Sequence, residues 1–286
     1  MELNIDINDI SETAFLTLQC HAIDAESKSP FLNDSSSVET LTILKDYFSK
    51  SGSALQKKLF LNKVKRDLVT HTVLRAKKYD SYITEFIDKY PNATVVNIGC
   101  GLDNRFERIN NGSIHFFDLD LPDIMNIKKQ IFQEKSNYFQ ISQSVFEFDW
   151  IEKLETEHVF LVAEGVFMYC TEQDVKKLFL TLQEKLNNPE IVFEVFNSKW
   201  LTGWRKKLMN FKLKKELKLG AGATFKFGIR DSDDIESWNR GFQLIDDWSY
   251  FDSDELNSGF MRLLKNIDSL RKVQWTVHYN LNKFKQ

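Results

Sequence analysis

A short apolar run that ends in two glycines constrains the fold of this chain more than any other stretch. Residues 95–98 suit a buried strand with one polar interruption, and Gly99 and Gly101 follow directly. A second apolar run, at 114–117, ends in two aspartates spaced by one residue. A strand, a glycine turn, a connection and a second strand that ends in acid form the local plan of a nucleotide-binding βαβ unit.

From residue 91 onward, strand patterns alternate with helix patterns. The runs at 158–163 and 191–196 are continuously apolar or nearly so, which is typical of central parallel strands covered on both faces. Between them, residues 171–186 place apolar side chains on one face of an amphipathic helix. This alternation predicts an α/β fold with a doubly wound parallel sheet. The predicted strands are 94–98, 114–118, 138–141, 158–163, 191–196, 242–250 and 273–279.

Helix patterns occupy the first 90 residues. They are centred on 10–25, 41–48, 55–64 and 67–90. Pro91 ends the last of them, because proline disfavours helix in the residue before it. Residues 198–240 interrupt the later alternation with a basic helical pattern at 204–219, followed by the small residues 220–222. One more helix is expected near 254–271, between the last two strands.

The bulk properties exclude several classes of protein. A net charge of −3 over 286 residues gives no general attraction to nucleic acid. The N-terminal residues lack a signal-peptide pattern and no run is long enough to cross a membrane. The three cysteines are far apart, so neither a disulfide framework nor a metal site follows. We expect a cytoplasmic protein without membrane or nucleic-acid partners. The 24 phenylalanines fit a Phe-rich core or an aromatic pocket equally well.

The residues around the glycine turn narrow its ligand. A dinucleotide fingerprint needs a third small residue where this chain has Asn104, and there is no phosphate-loop sequence. A nucleoside without phosphates is therefore favoured, and S-adenosylmethionine is a common one. Asp118 and Asp120 follow Gly101 at close to the spacing of roughly 20 residues at which an acid meets ribose hydroxyls. A plain turn and an exposed acid at a strand end remain open as alternatives.

Three ordered motifs resemble the leucine carboxyl methyltransferase family. They are Asn97-Ile-Gly-Cys-Gly-Leu-Asp-Asn-Arg105, Phe117-Asp-Leu-Asp-Leu-Pro122 and Ala163-Glu-Gly-Val-Phe-Met-Tyr169. Weaker similarities extend the resemblance over nearly the whole chain: residues 10–14, Arg75 with Asp80, and Ser144 with Trp150. The nearer branch is the bacterial one, similar to the tetracenomycin polyketide O-methyltransferase.

The resemblance implies a class I S-adenosylmethionine-dependent methyltransferase fold: a Rossmann-like, seven-stranded sheet whose last strand is antiparallel. It implies one domain over 1–286. In that domain, 1–90 form a helical cover, 91–197 the cofactor-binding core, 198–240 a lid insert, and 241–286 the closing strands.

The resemblance also implies roles toward S-adenosyl-L-methionine. Arg75 would hold the methionine carboxylate, and Glu164 would lie by the methionine part, where it could pair with the ammonium. Asp120 would bind the ribose. The remaining residues implied at the cofactor are Gly99, Gly101, Ser144 and Val145. Arg105 is expected to brace this site rather than to touch the ligand.

Two departures from the family pattern bear on the acceptor. The leucine carboxyl branch has Asp-Leu where this chain has Ser144-Val145, which points away from protein-modifying members. The family often has Arg-Ala where this chain has His21-Ala22, which weakens analogy about substrate. For His21 alone, a partly buried structural role is expected.

The resulting expectation is an O-methyltransferase that transfers a methyl group to a carboxyl or hydroxyl of a small molecule, such as a polyketide-like metabolite. No acid–histidine pair stands out near the motifs, which favours a carboxylate or an acidic phenol, because neither needs a general base. Tyr169 is either a core residue or a residue facing the methyl group, so the catalytic residues stay unassigned. The alternatives are a ligand-binding module without turnover and a protein carboxyl methyltransferase. Oligomeric state is open.

Overall fold

The structure is a computed structural model that describes residues 9–51, 64–154, 157–203, 225–256 and 271–283. Three predicted features lie outside these ranges: nearly all of the helical pattern at 55–64, the basic pattern at 204–219 with residues 220–222, and most of the helix near 254–271. The division of the chain into cover, core, insert and closing strands stays a prediction. None of the described helices has the length and apolar character needed to cross a bilayer.

The described residues form a seven-stranded sheet in the order β3-β2-β1-β4-β5-β7-β6. The strands are β1 (Thr94–Ile98), β2 (His115–Asp120), β3 (Tyr138–Ser142), β4 (Val159–Ala163), β5 (Glu190–Phe196), β6 (Phe242–Trp248) and β7 (Gln274–Leu281). Neighbouring strands from β3 to β5 run parallel, whereas β7 is antiparallel to both β5 and β6. The predicted fold class and sheet are confirmed, with strand ends displaced by at most two residues.

Six α-helices accompany the sheet in the described part of the chain. They are α1 (Asp9–Ala25), α2 (Ser35–Ser51), α3 (Arg66–Lys89), α4 (Arg105–Ile109), α5 (Pro122–Ile131) and α6 (Glu172–Lys185). Helix α6 begins where the sequence indicates, because the Thr171 hydroxyl accepts a hydrogen bond from the amide of Asp174. Helix α3 ends two residues before Pro91.

Apolar side chains on alternate strand positions fill two separate layers. Val95 on β1 packs in the layer that contains Tyr79 and Phe86 of α3, and Val96 packs in the layer that contains Phe179 of α6. All five residues of β1 are buried, as expected of a central strand with helices on both faces. This sandwich holds the carboxyl ends of β1, β2 and β4 side by side at one edge of the sheet.

Helices α1 and α2 cover that edge. Phe15 and Leu18 of α1 share a buried cluster with Leu102, the residue after the second glycine. A Cβ atom at Gly101 would lie 3.3 Å from the Cβ of Ala14. The first helix therefore packs directly on the glycine turn.

Candidate cofactor site

A cavity of about 660 Å³ opens where the parallel strands end. Its size falls in the range of small-molecule sites. All seven residues that the sequence assigned to the cofactor line it: Arg75, Gly99, Gly101, Asp120, Ser144, Val145 and Glu164. They come from α3, from the last residue of β2 and from the loops that follow β1, β3 and β4, so the fold brings together residues that are up to 89 positions apart.

The glycine turn forms the floor of this cavity. Gly99 and Gly101 have φ angles of +63° and +54°. Residues other than glycine adopt such angles only at a cost in free energy. A Cβ atom at Gly99 would lie 2.4 Å from Cγ2 of Val166. The amide of Gly99 donates to the carbonyl of Leu119 at 2.7 Å. Glycine is therefore required both by the backbone conformation and by the close approach of the loop after β4.

The two aspartates at the end of β2 have different environments. Asp120 lines the cavity, where its oxygens accept hydrogen bonds from the amides of Gly101 at 2.8 Å and Leu121 at 2.7 Å. Burial raises the pKa of Asp120, although these two amides partly offset the effect. Asp118 is 1% exposed, and its carboxylate contacts Lys128 at 2.8 Å and Tyr138 at 2.7 Å. Only Asp120 can present a carboxylate to a ligand.

Arg75 forms ion pairs with two glutamates, and all three residues line the cavity. Its Nε donates to Oε1 of Glu164 at 2.7 Å and its Nη1 donates to Oε2 of Glu194 at 3.0 Å. Burial would raise the pKa of Glu164, but Arg75 and Arg105 outweigh it and hold the pKa below the usual value. For Glu194, burial dominates over Arg75, so its pKa is raised.

Arg105 holds the other oxygen of Glu164. It is 1% exposed, donates from Nη2 to Oε2 of Glu164, and donates from Nε to Asp80 at 2.6 Å. Its Nη1 reaches the Asn97 side chain at 3.3 Å. These contacts fix the position of the Glu164 carboxylate, while Arg105 also lines the cavity, so its bracing role stays a prediction. They also explain the pairing of Arg75 with Asp80 in the sequence, since both residues of α3 orient the same glutamate, one directly and one through Arg105.

A third arginine extends this network toward α1 and α2. Arg108 donates from Nη1 to Asp34 at 2.9 Å and to Asp103 at 2.7 Å, and from Nε to Asp80 at 2.7 Å. Burial would raise the pKa of Asp103, but Arg108 and Arg105 hold it well below its usual range. The network thus contains three arginines and five carboxylates, those of Asp34, Asp80, Asp103, Glu164 and Glu194. The carboxylates therefore outnumber the cations by two.

The segment after β3 supplies Ser144 and Val145. The indole of Trp150 donates to the carbonyl of Val145 at 3.0 Å, and the amide of Phe146 donates to the Ser144 hydroxyl at 3.3 Å. Trp150 is fully buried. The pairing of Ser144 with Trp150 in the sequence therefore has a physical basis, because the tryptophan anchors the loop that carries the serine.

Two histidines, His21 and His71, line the cavity. His21 is paired with Asp34, which corrects the expectation that no acid–histidine pair lies near the motifs. Nδ1 of His21 is 3.0 Å from Asp34, while Nε2 is buried and has no hydrogen-bond partner among the described residues. His21 is 2% exposed. Its ligand-type atoms lie close to those of Asp34 and Asp103, but both carboxylates already bind Arg108. An ion-paired cluster explains this arrangement without a metal ion.

The second histidine, His71, lies one helical turn before Arg75 on α3. Burial, with a further contribution from Arg75, lowers its pKa to about 4, so the imidazole is neutral at neutral pH. Nothing in the spacing of the sequence singled out this residue. Glu194 was also missed, yet it carried a signal: it is the one charged residue inside the apolar run 191–196, and such residues are rarely buried without a partner.

Three aromatic side chains in mutual contact, Tyr169, Phe196 and Phe225, line one part of the cavity, which we call the aromatic compartment. The ring of Phe225 lies 5.3 Å from that of Tyr169 and 4.9 Å from that of Phe196. Burial raises the pKa of Tyr169 to about 12, so its hydroxyl stays protonated. Phenylalanine thus serves in this chain both in the core layers and in the walls of the pocket, and the two interpretations of its high content are both correct.

Comparison with known proteins agrees with this geometry. A family model described as leucine carboxyl methyltransferase matches residues 19–183, more than half of the chain. The tetracenomycin polyketide synthesis O-methyltransferase of Streptomyces glaucescens is 27% identical over 251 residues, which cover 87% of this chain and 86% of that protein. An S-adenosyl-L-methionine-dependent methyltransferase of Gibberella zeae is 26% identical over 188 residues, 61% of this chain and 60% of that protein.

Solved structures with the same fold cover nearly the whole chain. A Thermobifida fusca protein for which methyltransferase activity is proposed has a TM-score of 0.54 at 12% identity, over 92% of this chain and 94% of that one. A DUF574 family protein of Streptomyces avermitilis has a TM-score of 0.53 at 8% identity, over 95% and 99%. At such identities the similarity concerns the fold alone. Together with the family match, it shows that the chain belongs to the leucine carboxyl methyltransferase family and is an S-adenosylmethionine-dependent methyltransferase of class I fold.

Proposed function

We propose that this enzyme transfers the methyl group to an oxygen atom of a small molecule, at a hydroxyl or a carboxyl. The observation that carries the proposal is the position of all seven assigned cofactor residues in one cavity, next to an aromatic compartment. The similarity to a relative named as a polyketide synthesis O-methyltransferase supports a polyketide-like acceptor.

The charges of the cavity fit the cofactor. S-adenosylmethionine carries a sulfonium, an ammonium and a carboxylate, so its net charge is positive. The ion network beside the cavity has an excess of carboxylates, which favours a positively charged ligand. Glu164, with a lowered pKa, stays ionised and can accept a hydrogen bond from the ammonium.

Each of the remaining assigned residues would contact a different part of the cofactor. Arg75 has its Nη2 group free of a partner among the described residues and can donate to the carboxylate of the methionine part. Asp120 can accept from the ribose hydroxyls, since each carboxylate oxygen keeps a second lone pair beside its amide bond. Ser144 and Val145 would border the adenine.

The bound cofactor supplies a methyl group on an already activated sulfonium. The protein therefore has to align the acceptor oxygen and exclude water. Residues of α1 and α3 line the cavity. The aromatic side chains Tyr169, Phe196 and Phe225 would exclude water from the part of the cavity that they line. An aromatic acceptor would bury apolar surface against these rings, at roughly 25 cal/mol for each Å² removed from water.

The test combines binding and turnover. Calorimetry should show S-adenosylmethionine and S-adenosylhomocysteine binding to the wild-type protein, and mass spectrometry should detect S-adenosylhomocysteine formation with members of a panel of phenols and carboxylic acids. Binding without turnover on any member would instead indicate a ligand-binding module. Methylation of a peptide carboxyl terminus but of no small molecule would indicate a protein carboxyl methyltransferase, which the Ser144-Val145 pair disfavours.

A further inference from the structure

A polar side chain and an aromatic one are neighbours at the end of β5. Glu194 and Phe196 are two positions apart on this strand, so their side chains point to the same face of the sheet. Arg75 of α3 binds Glu194, so this face is the one toward α3. Phe193 and Val195 pack in the layer on the opposite face. The carboxylate of Glu194 therefore lies next to a wall of the aromatic compartment.

Gln274 lies beside these two residues on the neighbouring strand. It begins β7 and is paired with Phe196 in the antiparallel register, and directly opposite residues place their side chains on one face. Its Nε2 donates to Oε1 of Glu194 at 2.7 Å. Gln274, Glu194 and Phe196 all line the cavity. The amide of Gln274 is therefore held where the ion network meets the aromatic compartment.

The hydrogen bond to Glu194 determines which end of this amide remains available. Glu194 accepts from Nη1 of Arg75 at both oxygens, at 3.2 and 3.0 Å, and it accepts from Gln274 as well. The NH₂ group of Gln274 is thus turned toward Glu194, and the carbonyl oxygen is directed away from it. No donor reaches this oxygen among the described residues. A hydroxyl group of a ligand would satisfy it.

Two other polar groups near this end of the cavity impose no such direction on a ligand. The hydroxyl of Tyr169 has no hydrogen-bond partner in the part of the chain that the structure describes, but it rotates and can either donate or accept. Both oxygens of Glu194 already accept hydrogen bonds from Arg75. Gln274 thus offers an acceptor atom whose direction is fixed by its neighbour.

We propose, on the basis of the proposed function, that the carbonyl oxygen of Gln274 accepts a hydrogen bond from a hydroxyl group of the methyl acceptor, whose rings rest in the aromatic compartment. Gln274 then selects a hydroxylated aromatic molecule, and Glu194 is a positioning residue that holds the amide in this orientation. The recognised hydroxyl is distinguished from the oxygen that is methylated, so the proposal applies to carboxyl and hydroxyl acceptors alike.

The physical basis of this selection is the cost of an unpaired polar atom. An acceptor that lacks the hydroxyl would exclude water from the oxygen of Gln274 without replacing its hydrogen bond, which costs about 1–3 kcal/mol. A site that binds a substrate hydroxyl therefore rejects the analogue without it more strongly than an apolar pocket rejects an added group. A preference of about 10-fold or more for the hydroxylated molecule follows.

The closing experiment measures this preference with two pairs of probes that each differ by one hydroxyl. Hydroxynaphthoic acid is compared with naphthoic acid, which offer a carboxyl, and dihydroxynaphthalene with naphthol, which offer a phenol. Wild type should prefer the hydroxylated member of the pair that it methylates by about 10-fold or more in kcat/KM. Methionine resembles glutamine in size but has no amide, so in Q274M the preference should fall below about twofold, mainly through KM.

Two further variants separate positioning from a general loss of structure. Glutamine at 194 offers both a donor and an acceptor, so in E194Q the amide of Gln274 can turn round, and the preference should lie between those of wild type and Q274M. Thr276 is opposite Glu194, is 1% exposed and bonds the hydroxyl of Tyr79. T276V therefore removes a polar group from the same face of β7 and should keep the preference of wild type. An unchanged preference in E194Q would remove the positioning role of Glu194.

Binding of the product of the cofactor separates this inference from the proposed function. S-adenosylhomocysteine should bind Q274M and wild type with affinities within about threefold of each other in calorimetry. A preference that persists in Q274M, a loss of S-adenosylhomocysteine binding in Q274M, or equal turnover of both members of a pair by wild type would overturn the role of Gln274 and leave the methyltransferase assignment intact. Turnover of other acceptors but of neither pair would overturn it as well. Failure of wild type on every acceptor would contradict the proposed function itself.

Discussion

Arg75 on α3 donates to Glu164 after β4 at 2.7 Å, across 89 positions of the sequence. The same guanidinium reaches Glu194 on β5 at 3.0 Å. One arginine therefore connects a covering helix to two neighbouring strands of the sheet. The pKa of Glu164 is lowered and that of Glu194 is raised, and we expect the two glutamates to respond differently to substitution.

The first prediction is that E164Q and E194Q have unequal effects on the cofactor. Glutamine at 164 loses the charge that would pair with the ammonium, so affinity for S-adenosylhomocysteine should fall by about 10- to 100-fold, the effect of one hydrogen bond to a charged group. Glutamine at 194 keeps a side-chain oxygen that can accept from Arg75, and Glu194 is not among the residues assigned to the cofactor, so the affinity of E194Q should change less than about threefold. Calorimetry on both variants provides the comparison, and similar losses would rule out the distinction between the two glutamates.

The second prediction concerns the two aspartates of β2. D120N should weaken cofactor binding by about 10-fold or more, since a neutral amide is a poorer acceptor for ribose hydroxyls, with little loss of stability. D118N leaves the ammonium of Lys128 buried without its carboxylate, and this should cost about 3–5 kcal/mol of unfolding free energy. Urea unfolding and calorimetry should therefore separate the two variants. A D118N protein of wild-type stability would contradict the buried ion pair between Asp118 and Lys128.

The third prediction tests the floor of the cavity. G99A combines a positive φ with a Cβ that would lie 2.4 Å from Val166, whereas G112A has a positive φ but open space within 4 Å. G112A should lose about 1–2 kcal/mol from backbone strain, and G99A should lose more. The double variant G99A/V166A should recover part of the difference, but not the strain. Chemical denaturation checks this order, and equal losses for both glycines would argue against a close approach of Val166.

The fourth prediction is a pH dependence of stability that H71Q removes. The unfolded histidine has a pKa near 6.5, and the folded one is lowered to about 4. Between these values the unfolded chain binds more protons, so the wild type loses stability as the pH falls from 6.5 toward 4. From pH 7.5 to pH 5 the unfolding free energy of wild type should drop by about 2 kcal/mol more than that of H71Q. Parallel denaturant titrations measure this difference, and an equal pH dependence of the two proteins would contradict the lowered pKa of His71.

Much of the fold could be predicted from the sequence, because local sequence patterns determine many of its strands and helices. The strands at 94–98 and 191–196 follow from nearly continuous apolar runs. The helix at 171–186 follows from its apolar face and its threonine cap. All of these signals act within a few residues. The glycine turn could be predicted in the same way, since two glycines after a buried strand allow the positive φ angles of a tight turn. Most of the residues assigned to the cofactor belong to motifs at the ends of these elements, whereas Arg75 lies within α3; their roles toward the cofactor stay a prediction.

The sequence by itself determined the sheet, the glycine turn and the family of this protein. Only the tertiary structure decided that Asp118 is buried against Lys128, that Glu194 shares Arg75 with Glu164, and that His71 lines the cavity. The physical reason is the range of the interactions. Backbone geometry and apolar periodicity depend on neighbours in the chain, whereas burial, ion pairing and the resulting pKa values depend on side chains that meet only when the sheet brings its strand ends together.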